Sequence, residues 1–391
     1  MNSLMNWKKV KISNIADIKI GLTYKPENIS STGIFVIRSS NIQKGSLVNN
    51  DDDVFVNVDK IKNLEVIKDD IIMCARNGSK ALIGKSAIIN NNLSETTFGA
   101  FMLRIRSGMN KYLYQYFQSD EFFKYLNRDM GATINQVTTS YLGNLELLLP
   151  PPVEQEKIVQ VLSTWDEAIN KVLINIDNER RKKKSITSKV YRGQILTNEY
   201  NKDYFKRLRS FLSEVSIRNN GAIDNVLSVS NSRGFIPQVD QFDREVASKD
   251  RSNYKVVSQG EFAYNPSRVN VGSIDLLTTH ESGILSPMYV VFKCNSELNN
   301  RYLYHFLKSD LFLQLIPRFT QGSVRDSLSF DGLCSMKLYI PTTREQLIYA
   351  KALDTIDEHI NKLERLLELY RLQKKGLIQQ LLTGKVRVNV N

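Results

Sequence analysis

A chain of 391 residues, 42% of them hydrophobic, is too long for one ordinary domain and too apolar to be disordered, so two or more packed domains are expected. Its 53 lysines and arginines against 41 acidic residues give a formal charge of +12, which favours a polyanionic partner, nucleic acid ahead of a membrane surface. Three scattered cysteines (Cys74, Cys294, Cys334) and three histidines (His280, His305, His359) exclude a disulfide framework and argue against a cysteine- or histidine-built metal site.

The opening MNSLMNWKKVKI lacks the apolar core of a signal peptide, and no run approaches the roughly 18 apolar residues of a membrane span. A cytoplasmic protein is expected. Short apolar runs bounded by Gly, Asn and Asp, among them GIFVIRS, DDIIMCA and AFMLRIR, predict strands. Asp17-Ile18-Lys19 matches only the tail of a nuclease pattern. GSKALIGKS (78–86) has five residues between its glycines where a Walker A loop has four, and strand and turn follow it, so a hairpin turn is expected there. Neither an Asn-Pro-Pro-Tyr methyltransferase motif nor a GxGxxG loop occurs. KYLYQYFQSDEFF (111–123) predicts a short amphipathic helix. Its aromatics Tyr112, Tyr114, Tyr116 and Phe117 are expected in a core, with base stacking as the alternative.

From Pro150 to Gly193 the pattern is helical. Ile158, Leu162, Trp165, Ile169, Val172, Ile176, Glu179, Lys183, Ile186 and Val190 alternate steps of four and three, the coiled-coil heptad. Prolines upstream and a glycine at the far end mark start and stop. About 40 residues at 1.5 Å each would make a rod of roughly 60 Å. The run Arg180–Lys184, with Lys189 and Arg192, suits either a structural role near a helix C-terminus or contact with phosphates or an acidic partner. Lys183, echoed by Lys374, fits a polar residue that sets register.

The pattern then starts again. With Pro150 set on Pro341, 14 of 44 positions are identical through Gly193 and Gly384, including Glu154-Gln155, Asp166-Glu167 and Lys183-Lys184 with their counterparts 191 residues on. The second heptad runs Tyr349, Leu353, Ile356, Ile360, Leu363, Leu367, Tyr370, Lys374, Leu377, Leu381. Upstream, RYLYHFLKSDLFL (301–313) repeats the aromatic helix, with Tyr302, Tyr304 and Phe306 assigned to a core, and GSVRDSLSFDGLCSMKLYIP (322–341) repeats GATINQVTTSYLGNLELLLP (131–150). GEFAYNP and MYVVFKC supply strands. His305 and His359 are expected to be structural. The fold class expected is α+β: two globular domains, each followed by a long heptad-patterned helix, as an internal repeat. The two stripes most simply bury each other, though a partner's helix could fill either seam.

LLLPPPVEQEKIVQVLSTWDEAINK, repeated as LYIPTTREQLIYAKALDTIDEHINK, resembles the hallmark of type I restriction–modification specificity subunits. The helix ends SKVYRGQILT and IQQLLTGKVRV, and VLSVSNSRGFIPQ with YKVVSQGEFAYNPSRVNVGSI, resemble that family too. The resemblance implies target-recognition domains at 1–151 and 198–342, held apart by two long antiparallel coiled-coil helices, the conserved spacer helices at 152–197 and 343–391, in a pseudo-twofold internal repeat. It implies a non-catalytic subunit that reads a bipartite, asymmetric site on double-stranded DNA, its helices acting as a ruler for the unread spacer. It also implies a complex with two modification subunits that methylate adenine using S-adenosylmethionine, joined by restriction (translocase) subunits using ATP and Mg. No cofactor and no metal are expected in this chain, and no membrane partner. The alternatives are a specificity subunit for another multisubunit methyltransferase without translocation, or a helical protein scaffold.

Reading base edges takes Arg or Lys for guanine, Asn or Gln for adenine, and small polar neighbours. In the first domain Arg38, Ser39, Asn41, Arg76, Asn77, Lys80, Thr133, Asn135 and Gln136 have that character. In the second, Asn231, Arg233, Asn265, Ser267, Arg268, Ser323 and Arg325 do. Each is also ordinary turn chemistry. Leu162, Trp165, Ile169, Val172, Leu353, Ile356, Ile360 and Leu363 are assigned to the helix seam.

Overall fold

The computed structural model describes residues 6–58, 61, 63–129, 136–194, 202–231, 233–240, 250–320 and 327–389. The chain divides into two compact units, Met1–Val172 with Leu366–Asn391, and Leu173–Arg365. Its helices are α1 (Asn110–Phe117), α2 (Asp120–Asp129), α3 (Thr139–Gly143), α4 (Pro152–Tyr191), α5 (Asn300–Leu307), α6 (Asp310–Leu315), α7 (Phe330–Ser335) and α8 (Thr343–Leu381).

The centre of the first unit is an antiparallel sheet ordered Asp17–Ile20, Met102–Arg106, Ile71–Cys74, Ser86–Ile88. Ile71–Cys74 is buried at all four positions, as a continuous apolar run requires when both faces are covered. A smaller mixed sheet pairs Thr96–Phe98 in parallel with Ile34–Ile37. Lys8–Lys11 pairs with Glu146–Leu149. Helices α1 and α2 close one side through Leu113, Phe117, Phe122 and Leu126, and the same core takes in Ile158 and Leu162 of α4 and Ile378 and Leu381 of α8.

The second unit repeats this plan. Leu212–Val215, Val290–Cys294, Phe262–Tyr264 and Ile274–Leu276 form an antiparallel sheet in the same order. Phe205–Arg207 pairs with Lys337–Tyr339 as the first unit's opening strand pairs with its closing one. The core joins Tyr302, Leu303 and Phe306 of α5 to Val190 and Tyr191 of α4 and Tyr349 and Ala350 of α8. Tyr112, Tyr116, Phe117, Tyr302 and Phe306 are buried and Tyr114 and Tyr304 half-buried, as expected of core aromatics.

One expectation changes. KYLYQYFQSDEFF and its repeat each form two helices. Ser119 accepts from the Phe122 N–H at 3.2 Å and Ser309 from the Phe312 N–H at 3.3 Å, so each serine caps a new helix and ends the old one.

The repeated Pro–Glu–Gln motif has a physical reason. Buried Gln155 donates from Nε2 to the Pro150 carbonyl at 2.8 Å, and buried Gln346 to the Pro341 carbonyl at 2.9 Å, closing each strand-to-helix turn. At the far end of α4, Gly193 takes φ +65°, Gln194 N–H bonds the Lys189 carbonyl and Gly193 N–H the Val190 carbonyl, a Schellman stop. Along the assigned seam Leu162, Val172, Leu353, Ile356 and Ile360 are buried, while Trp165, Ile169 and Leu363 are half-buried. Within the first unit Trp165 meets Tyr370 edge-on at 5.5 Å.

Candidate nucleic-acid interface

In the first unit two loops converge. Strand Ile34–Ile37 runs into the turn Ser39–Asn41, and strand Ile71–Cys74 runs on to Arg76 and Asn77. Asn77 Nδ2 donates to Ser39 Oγ at 3.1 Å and ties the two together. Arg38, Ser39, Arg76 and Asn77 line one cleft of about 970 Å³. The exposed Arg76 guanidinium lies 5.3 Å from the centre of the Phe101 ring, a cation–π placement that leaves its N–H fork available. Arg38 donates from Nη2 to the Asp52 carbonyl at 3.0 Å, while its Nε is buried without a partner in the cleft wall.

Asn41 is different. It is fully buried, accepts from the Arg38 N–H at 2.9 Å and donates to the Val48 carbonyl at 3.2 Å and to Asp53 at 2.5 Å. Its side chain holds the turn and has no amide edge left for a base. Lys80 is exposed at the start of the turn Lys80–Leu82 and does not line the cleft, and Gln136 bridges backbone-to-backbone with Arg76.

The second unit places its candidates alike. Asn231 follows strand Leu227–Ser230, and Asn265 to Arg268 follow Phe262–Tyr264, the counterpart of Ile71–Cys74. Asn231, Ser267 and Arg268 are exposed and line one cleft of about 490 Å³ with Tyr289. Asn265 is buried, and its Oδ1 accepts from the Ser267 N–H at 3.1 Å, so it shapes the loop from beneath. Arg233 donates from Nη2 to the Asp240 carbonyl at 2.9 Å and lines a separate cavity of about 750 Å³ with Asn231. Beside it Gly234 sits at φ +65°, where a Cβ would fall 1.6 Å from Asp275 Oδ2, so a larger residue would be strained and would have to displace that carboxylate. Thr133, Asn135, Ser323 and Arg325 lie outside the described residues.

The basic run on α4 is engaged. Arg180 faces Glu364, Arg181 Asp177, Lys182 Glu179, Lys183 Asp357 and Lys184 Asp310. Two of these recur in the other unit: Lys374 pairs with Asp166 at 2.5 Å and Lys375 with Asp120 at 3.1 Å. One lysine of each pair crosses to the facing long helix and the other to the short helix that follows the serine cap. A third member completes each cluster. Gln115 Nε2 donates to Asp166 at 2.9 Å, and at the matching position His305 Nε2 is 2.9 Å from Asp354 and its Nδ1 3.8 Å from Asp357. Burial, with Lys183 close by, pulls His305 down from 6.5 to about 4. His305 is therefore neutral near pH 7 and donates to Asp354 as a structural group, as expected. His359 is exposed, 3.8 Å from Glu179. The repeated Asp166/Asp357 pair was visible in the sequence; its role was not.

Two enzyme-like fragments have other uses. Asp17 binds the buried Arg104 guanidinium at 2.7 Å, in a sheet. Residues 78–86 connect the antiparallel strands Ile71–Cys74 and Ser86–Ile88, the expected hairpin. Among the described residues no group of three or more His, Cys, Asp or Glu could hold a metal, and no helix is long and apolar enough to cross a membrane.

The family model described as the type I restriction modification DNA specificity domain matches residues 5–179 and 252–371, well over half of the chain. The chain belongs to that family. It is similar to the type I restriction enzyme StySPI specificity subunit of Salmonella potsdam, 22% identical over 97% of this chain and 88% of the relative. It is also similar to the type I restriction enzyme MjaVIII specificity subunit of Methanocaldococcus jannaschii, 23% identical over 85% and 83%. In fold it resembles the crystal structure of a type I restriction–modification S subunit from M. genitalium, with a TM-score of 0.57 at 16% identity, covering 98% of this chain and 97% of that one. This specificity subunit is thus a non-catalytic, DNA-recognising component of a type I restriction–modification system, α+β in class.

Proposed function

We propose that this specificity subunit reads a split, asymmetric sequence on double-stranded DNA, residues 1–151 addressing one half-site and residues 198–342 the other. The observation that carries it is the pairing of like scaffold with unlike side chains. Each unit has the same central strand order and two polar loops at matching places. One offers Arg38, Ser39, Arg76 and Asn77, the other Asn231, Ser267 and Arg268. Arginine suits guanine O6 and N7, and asparagine suits adenine N6 and N7, so unlike loops should select unlike bases. Asn41 and Asn265 hold the loops in shape.

The helical segments 152–197 and 343–391 set how many unread base pairs separate the half-sites. Two modification subunits bind the chain, carrying S-adenosylmethionine and methylating adenine, and restriction subunits add ATP- and Mg-dependent translocation and cleavage. The complex acts in the cytoplasm. Exposed Leu369 and Leu372, three residues apart and so on one face of α8, support a covering protein partner.

The test is co-expression with the modification subunit, followed by single-molecule sequencing for methylated adenine. One split motif with two different halves is the expected result. A well-formed complex that methylates an unsplit or palindromic motif would refute the assignment.

A further inference from the structure

Two apolar side chains stand exposed on turns beside the polar loops. In the first unit the turn Gly99–Met102 is closed by the Met102 N–H donating to the Gly99 carbonyl at 2.8 Å. In the second the turn Ser286–Tyr289 is closed by the Tyr289 N–H donating to the Ser286 carbonyl at 3.0 Å. The third residue of each turn is apolar, Phe101 in one and Met288 in the other, and they are 59% and 60% exposed. Turn centres favour Gly, Asn and Asp, so neither residue is there to make the turn.

Both turns lead directly into the strand that pairs with the carrier of the second polar loop, Met102–Arg106 beside Ile71–Cys74 and Val290–Cys294 beside Phe262–Tyr264. Each apolar side chain touches that loop. Phe101 lies under Arg76, and Met288 Sδ is 3.7 Å from Asn265 Nδ2. Isolated exposed apolar residues are common on proteins and by themselves mean little. Here an exposed apolar residue recurs in the turn before the same strand of both domains, one residue ahead of it in the first and two in the second. Each touches the second polar loop, although the other loop residues differ.

Among base edges in the major groove only thymine displays an apolar group, its 5-methyl. We infer that Phe101 and Met288 are specificity-determining residues, each contacting the 5-methyl group of one thymine in its own half-site. The inference rests on the half-site reading above and adds to it a chemical class of contact that the polar loops cannot make.

The test uses the complete complex with its modification subunits. Methylation sequencing first establishes the split motif, so failure of the underlying reading would already show at that stage. Duplexes are then made with each thymine of the motif replaced in turn by deoxyuridine, which removes the methyl alone. One position in each half-site should bind about four-fold more weakly, the worth of one buried methyl group. Phe101→Ala should abolish the thymine–uracil difference in one half-site and leave it in the other, and Met288→Ala should do the converse. Phe101→Leu should retain it, and the unaffected half-site reports that each variant is folded. Binding indifferent to uracil at every position, a half-site with no thymine on either strand, or a Phe101→Ala complex that still discriminates would each overturn the inference.

Discussion

Replacing His305 by glutamine should remove an acid sensitivity that only the second unit has. His305 is almost wholly buried, hydrogen-bonded to Asp354, and held down from 6.5 to about 4 by that burial and by Lys183. Between those values the unfolded chain binds a proton that the folded chain refuses, so stability is complete above about pH 6.5 and falls as pH drops towards 4. At pH 5 the linkage costs about 2 kcal/mol, or about 30-fold in the opening equilibrium. Burial works to raise the neighbouring Asp354 carboxyl, but Arg301 and His305 carry it below its ordinary 3.8, so its own protonation lies outside this window. The first unit supplies the control, because the residue matching His305 is Gln115, which donates to Asp166 and does not titrate. Hydrogen exchange, corrected for intrinsic rates, should show α5 losing about 30-fold of its protection between pH 7.5 and 5 while α1 loses none. His305→Gln should make α5 behave as α1 does. A wild-type α5 whose protection is flat across that range, or a variant that keeps the loss, would contradict the argument.

Arg76→Ala should weaken cognate DNA binding by roughly 1–3 kcal/mol and relax selection at one position of one half-site, read by methylation sequencing; an unchanged motif would remove Arg76 from base contact. Gln346→Ala strands the Pro341 and Glu297 carbonyls and the Asn299 N–H, whereas Gln155→Ala strands the Pro150 carbonyl. At about 1–3 kcal/mol per unsatisfied buried group, the first should lower the urea midpoint by more than the second. A double-mutant cycle on the half-buried Lys183–Asp357 pair should give a coupling of about 1–3 kcal/mol, and one on the exposed Arg181–Asp177 pair about 0–0.5 kcal/mol. Matched whole-turn insertions in α4 and α8 should change the unread spacer of the methylated motif and leave both half-sites intact, and altered half-site bases would count against the ruler.

The parts of this fold legible in sequence are those written locally and twice. Heptad spacing, proline starts and glycine stops placed α4 and α8, because helix formation depends on residues three and four apart. The aromatic helices and the apolar strands were legible for the same reason. The break at Ser119 and Ser309 was also present, since serine followed by an acidic residue is a helix start, but the longer amphipathic stripe across it masked the cap. What no local pattern could supply was pairing across more than a hundred residues, such as Lys8–Lys11 with Glu146–Leu149, or the partner that Lys374 finds at Asp166.

The recognition residues show the same limit at the level of single side chains. Asn41 and Asn77 look alike in sequence, each an asparagine in a polar turn after an apolar strand. One is wholly enclosed by Val48, Asp53 and the Arg38 backbone and the other lines an open cleft, and contacts from elsewhere in the chain decide which. Composition proposes both, and only burial separates the residue that shapes a loop from the residue the loop displays. Phe101 and Met288 err in the other direction. AFMLRIR and MYVVFKC read as strands from their first apolar residue, yet the strands begin at Met102 and Val290, and of the residues left in front of them Phe101 and Met288 face outward while Tyr289 is buried. An apolar residue is assigned to the core by default because burial is what it usually gains. In a protein that must sense a methyl group on DNA, the same chemistry is useful only when the residue is left exposed.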